Sequence, residues 1–157
     1  MNLFYTQGDY GLFQCARNCS GETYDNERQV REMAGHQKDQ RVPSELVPRC
    51  PRCGAPMVPN LRVDGTFCED RGWHEAASRH RAFCEAHSGD RVLYLELGVG
   101  DNTPVIIKYP FWNAVSRNGH ATYACVNIGG ACAPTTIAGR SILVDDDIDE
   151  LIQNVLA

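Results

Sequence analysis

What this sequence lacks narrows its class first. It has no excess of basic charge: 15 Lys and Arg stand against 20 Asp and Glu, a formal net charge of −5. Binders of duplex DNA and other polyanions neutralise phosphates with clustered Lys and Arg, so no nucleic-acid partner is expected. No apolar run approaches the roughly 20 residues of a membrane span, and no membrane partner is expected either. The first residues lack a basic stretch followed by an apolar core, the mark of an export signal. The eight cysteines are therefore expected reduced or metal-bound rather than disulfide-paired, in a cytoplasmic protein. There is no internal repeat, no low-complexity tract, no GxGxxG, and no histidine with a sequence partner that would make a catalytic dyad.

What is present is a chain of 157 residues, 43% hydrophobic and 22% charged, enough for one domain or one domain plus a small stapled module. Three zones emerge. Residues 1–14 read as a short strand (Leu3, Phe4, Tyr5) followed by a Gly8-Asp9 turn. Residues 15–60 hold four cysteines in two pairs around a polar middle too poor in apolar residues to bury its own core, which calls for an external staple. Residues 61–157 alternate helix and strand.

In that third zone Trp73, Ala76, Ala77, His80, Phe83, Cys84 and His87 share one helical face. VLYLELGV (Val92 to Val99) is an almost continuous apolar run, as expected of a strand buried on both faces of a parallel sheet. Thr103 and Pro104 read as the cap and first residue of the next helix, which Pro110 should kink. ATYACVNIGG and SILV are two further strands. The closing helix carries the stripe Ile148, Leu151, Ile152, Val155 and Leu156, with acids at its positive end. The alternation predicts a parallel α/β sheet.

The strongest local signal is Cys15-Ala-Arg-Asn-Cys19 with Cys50-Pro-Arg-Cys53-Gly54. A CPxCG knuckle aims two thiolates and nearby backbone N–H groups at one point, and two such pairs make a closed tetrahedral site. Cys15, Cys19, Cys50 and Cys53 are thus expected to hold a structural metal. The spacing suits zinc and iron alike, and zinc is favoured because nothing in the setting implies redox chemistry. Cys68, Cys84, Cys125 and Cys132 are unpaired and read as ordinary core or surface cysteines. His80 and His87 read as packing residues, and His36, His74 and His120 as solvated ones.

LELGVGDNTP sets Gly98 and Gly100 at the end of a buried strand with a helix behind, where α/β sheets bind ligands and backbone N–H groups can approach an anion. GVG alone is equally a simple turn. A second strand ends in Val126-Asn127-Ile128-Gly129-Gly130, where Asn127 suits a ribose hydroxyl or a base edge as well as an ordinary turn.

Taken together, TQGDYGLFQC, CPRCGAPMVPNLRVDGTF, LELGVGDNTPVIIKYPFW, CVNIG and SILVDDDIDELIQNVL resemble the C-terminal half of a sirtuin, and most closely the macrodomain-linked sirtuins. The resemblance covers essentially the whole chain. It implies an incomplete Rossmann-like parallel sheet interrupted by a four-cysteine zinc module. Residues 1–14 would supply a Rossmann-like strand and catalytic turn, 15–60 the zinc module, and 61–157 the C-terminal part of the NAD-binding domain. Gly98, Val99, Gly100, Asn102 and Thr103 would then form the loop on NAD, Asn127 would meet the adenine ribose, and MVPNLRVDGTF would be the strand that clamps an acyl-lysine peptide.

Where sirtuins in general carry a histidine base, this subgroup has a glutamine, here Gln7, which the resemblance makes both the catalytic and a cofactor-binding residue. A carboxamide has no usable basicity, so Gln7 would position by hydrogen bond rather than abstract a proton. The subgroup is associated with protein ADP-ribosylation, particularly of lipoyl-carrying proteins, more than with deacylation. A protein substrate and a macrodomain partner are therefore implied. The family's first Gly-rich phosphate loop, its arginine-bearing cofactor loop and its Thr-Asn-x-Asp motif do not occur in the chain. The expectation is an N-terminally truncated enzyme, weak or inactive alone, that pairs with a missing half or with itself. The alternative is a non-enzymatic, zinc-stapled binding or scaffold module.

Overall fold

The computed structural model describes residues 3–156, apart from the Leu156 side chain. Met1 and the extreme ends of the first and third zones, with the Leu156 end of the closing stripe, lie outside the described residues. The chain divides into two compact units, Met1–Arg81 and Ala82–Ala157.

In the first unit, β1 (Gly8–Cys15) is flanked by β2 (Thr23–Asp25) and β3 (Met57–Leu61) in the order β2-β1-β3. Both pairings are antiparallel, with Phe13 opposite Tyr24 on one side and Pro59 on the other. The β1–β3 register shifts between Asp9 and Phe13, and Asn26 satisfies the backbone freed there. Its side-chain amide donates to Tyr10 O at 2.7 Å and its N–H to Gly11 O at 3.1 Å. Helix α1 (Glu27–His36) buries no residue, as the polar middle of the sequence suggests. Gln14 is buried and ties residues 66–68 to the sheet. Its Oε1 accepts from Asn60 Nδ2 at 2.7 Å and from the Cys68 N–H at 2.9 Å, while its Nε2 donates to Thr66 O. Buried polar groups are tolerated when paired in this way. Helix α2 (Arg71–Ala86) begins in this unit, where the Asp70 carboxylate accepts from the Trp73 N–H at 2.8 Å and from Thr23 Oγ1.

The expected strand at Leu3–Tyr5 is not formed. Thr6 donates to Phe4 O and Gly8 to Tyr5 O, so a turn occupies the backbone groups a strand would offer to a neighbour. The turn falls at Thr6 and Gln7, and Gly8 and Asp9 are already strand.

In the second unit, β4 (Leu93–Leu97), β5 (Thr122–Val126) and β6 (Ser141–Val144) form a parallel sheet in the order β4-β5-β6. The predicted α/β alternation is therefore present. Helix α3 (Lys108–Arg117) packs on one face, where Val115, Ala121, Tyr123, Cys125 and Ile137 form the core. Arg140 collects the carbonyls at the end of α3, donating to Val115 O and to Asn118 O at 2.7 Å.

Burial of VLYLELGV on both faces is not observed. Leu93, Leu95 and Leu97 are 58%, 49% and 44% exposed, because the α3 face takes only the alternate residues Tyr94 and Glu96. The helix expected from Thr103 starts at Lys108 instead. Thr103 to Ile107 are spent in turns closed by Ile106 N–H to Thr103 O and Tyr109 N–H to Pro104 O. Pro110 thus sits in the first helical turn, where an amide lacks an intrahelical acceptor anyway, and causes no kink. Helix α4 (Ile148–Leu156) is capped by Asp147, whose Oδ1 accepts from the N–H groups of Asp149 and Glu150. Its stripe is open: Ile152 and Val155 are exposed.

Candidate functional site

The four paired cysteines converge. β1 ends in Cys15, the following turn brings Cys19, and the knuckle before β3 brings Cys50 and Cys53. All four sulfurs lie within 4.8 Å of one another. The Cys15–Cys53 and Cys19–Cys50 sulfur distances are both 3.6 Å. Four thiolates at a Zn–S length of about 2.3 Å stand about 3.8 Å apart, so the cluster has the size of an ion-binding tetrahedron. The donor chemistry agrees. The N–H groups of Cys19 and Arg17 draw the Cys15 thiol down to about 6, the latter at 3.4 Å from its sulfur. Those of Cys53 and Arg52 lower Cys50. Cys19, sharing hydrogens with Cys53 and Cys50, is pushed up to about 12. Four packed thiols cannot all ionise without a cation between them. Around them Ala55 and Met57 complete a small apolar cluster. Of the remaining cysteines, Cys68 and Cys125 are buried, Cys84 is half-buried and Cys132 exposed.

Gln7 lies in the turn just before β1, on the first unit, with an exposed side chain. Two features set its backbone. Gly8 has φ +99°, and a Cβ there would meet Asn60 O at 1.9 Å, so only glycine permits the close approach of β3. Arg62 then straps the turn: its N–H donates to Gln7 O at 3.0 Å and its Nε to Thr6 O at 3.3 Å. The guanidinium is itself held by Glu69 at 2.6 Å and stacks over Phe67 at 4.2 Å. Beside the turn lies a cleft of about 140 Å³, walled by Phe4, Tyr5, Asp9, Leu12 and Trp73. Arg62 was not singled out in the sequence. The available signal was an arginine next to a strand otherwise free of charge.

The glycine turn and Asn127 meet in the second unit. Gly98 and Gly100 follow the carboxyl end of β4, and Asn127 follows that of its neighbour β5. Asn127 Nδ2 donates to Val99 O at 3.1 Å, and the Gly98 N–H to Val126 O at 2.9 Å. Gly98 has φ +63°, and a Cβ there would come within 3.1 Å of Ile148. Asn102 and Thr103 are exposed on the same turn. Parallel sheets bind ligands at this edge, outside the carboxyl ends of adjacent strands. The expected helix N-terminus is not immediately behind the turn, since α3 starts five residues after Thr103.

Under the turn lies a buried charge pair that the sequence reading did not anticipate. Glu96 and Lys108 are each 1% exposed, with Nζ to Oε1 at 2.6 Å. Tyr123 Oη donates to Glu96 Oε2 at 2.8 Å and Cys125 Sγ to Oε1 at 3.5 Å. Burial works to lower Lys108, yet hydrogen bonding to Glu96 and its charge leave the ammonium above its ordinary range. Burial pushes the Tyr123 hydroxyl and the Cys125 thiol upward. Among the described residues no helix is long and apolar enough to cross a membrane.

No family model matches the chain. A curated protein of Staphylococcus aureus (strain Mu50 / ATCC 700699), named Protein ADP-ribosyltransferase, is 39% identical over 156 residues. The match takes in 99% of this chain and 50% of that protein, so the chain spans about half the length of the relative.

Proposed function

We propose that the chain is the zinc-bearing, C-terminal half of a sirtuin-type NAD-dependent protein ADP-ribosyltransferase. The similarity to a protein ADP-ribosyltransferase along 99% of the chain carries the reading. The geometry supports it: the turn of Gly98, Val99, Gly100, Asn102 and Thr103 touches Asn127 at the carboxyl edge of a parallel sheet. On this reading the sheet is the C-terminal part of a Rossmann-like domain, and its turn would receive the cofactor's anionic groups on backbone N–H donors. Asn127 uses its amide nitrogen on Val99, which leaves its oxygen for a ribose hydroxyl. Zinc fits Cys15, Cys19, Cys50 and Cys53 as a closed structural site.

When bound, NAD supplies an ADP-ribosyl group whose anomeric carbon exchanges nicotinamide for a nucleophile of the acceptor protein. Gln7 would orient the reacting ribose by hydrogen bond, held in place by Gly8 and Arg62. The acceptor fits a lipoyl-carrying protein, with a macrodomain protein as a further partner. The apolar face of Leu93, Leu95, Leu97 and Ile142 is the surface for the remaining half of such an enzyme, because parallel sheets are stable when both faces are covered. Labelled NAD, a lipoyl-domain acceptor and the chain combined with the part of the relative outside the match make the test. Transfer of label to the acceptor, lost in Gln7→Ala, is the expected result. No transfer with the zinc-loaded pair would favour a binding or scaffold module instead.

A further inference from the structure

The buried pair Glu96–Lys108 brackets the glycine turn: Glu96 lies two residues before Gly98, and Lys108 is the first residue of α3. Neither position is explained by helix or core stability. A cation at the amino end of a helix opposes the helix dipole. Removing a charge pair from water costs more than its attraction commonly returns, and apolar residues of equal volume often serve the fold as well. What the pair does provide is geometry. One carboxylate gathers three donors, from Lys108, Tyr123 and Cys125, so it has a single orientation. The same ammonium lies 3.8 Å from the carboxylate of Asp101, a turn residue whose side chain is 78% exposed. Lys108 also sits 5.9 Å from the centre of the Trp112 ring.

We propose that Glu96 and Lys108, with Tyr123, form a clasp that joins the two ends of the segment from Gly98 to Ile107 and, through Asp101, fixes the position of the glycine turn. They are positioning residues. The relevance to cofactor binding rests on the reading of the turn given above, but the clasp itself does not. Opening it leaves the second unit folded and releases the turn.

The test separates the two roles with the double variant Glu96→Leu/Lys108→Met, which replaces the pair by apolar residues. Thermal denaturation reports the fold, and hydrogen exchange at the Gly98 and Ile106 amides reports the turn. Both amides are bonded in this structure, to Val126 O and Thr103 O. The expected outcome is an unfolding midpoint within a few degrees of the parent, with exchange at both amides faster by about tenfold and β5 amides unchanged. Asp101→Asn, at an exposed position, is the second variant. If the double variant does not fold, Asp101→Asn alone decides, with exchange expected faster by about threefold. Exchange within twofold of the parent in a folded variant overturns the clasp. NAD titration runs alongside: a parent that does not bind NAD counts against the functional reading and leaves the exchange result standing.

Discussion

At the scale of single residues, the Gln7–Gly8 pair and the residues around it carry most of the argument. Gly8 is legible in the sequence only as a turn former. The structure shows a stricter demand, since its φ is +99° and Asn60 O occupies the space of a Cβ. Gly8→Ala is expected to destabilise the first unit by about 3 kcal/mol, readable as a lower midpoint in chemical denaturation. Gln7 has no such burden, being exposed. Gln7→Ala should leave stability within about 0.5 kcal/mol of the parent while removing label transfer in the complemented enzyme. Unchanged transfer would take Gln7 out of the mechanism. Arg62 was invisible to sequence reading because its role lies in backbone contacts to Thr6 and Gln7, 56 and 55 positions away. Glu96 did leave a trace, as the lone charge inside VLYLELGV, but its partner lies twelve residues on and across a turn.

At the scale of elements, local chemistry decided what could be read. The two cysteine pairs were legible because ligand spacing is a local property, and the four sulfurs do converge. Removing metal from a folded preparation with a chelator at neutral pH should unfold the segment around β1, β2 and β3, since the cluster ties the three strands together at the Cys15 end of that sheet. Structural zinc commonly supplies on the order of 10 kcal/mol to such modules. Loss of circular dichroism in step with metal release is the readout, and stability unaltered by the chelator would refute the four-cysteine site. Strands β4 and β5 were legible from apolar runs ended by glycines, and β6 from the short apolar run SILV before an acidic stretch. The start of α3 was not, because Thr103 and Pro104 carry the signature of a helix beginning and the chain turns twice more before Lys108. The strand expected at Leu3–Tyr5 failed for a related reason: an apolar triplet makes a strand only with a neighbour to pair with.

At the scale of the whole molecule, the match to half of a longer protein and the open apolar faces point the same way. Exposed Leu93, Leu95, Leu97 and Ile142 share one face of the parallel sheet, and burying the roughly half of each side chain still open would contribute roughly 3–6 kcal/mol to an association. Leu95→Asp should therefore abolish complex formation with the unmatched part of the relative in size-exclusion chromatography, while the chain stays folded. Complex formation by the variant at parental strength would assign that face another role. The exposure of that face could not be read from composition, because apolar strands look alike whether covered or open. The functional reading turns most directly on whether the glycine turn and Asn127 receive the cofactor. Millimolar NAD titrated into the zinc-loaded chain, followed by amide resonances, measures this even when binding is weak. Shifts concentrated at Gly98 to Thr103 and at Asn127 are expected, whereas a titration that leaves those amides unmoved would contradict the proposal.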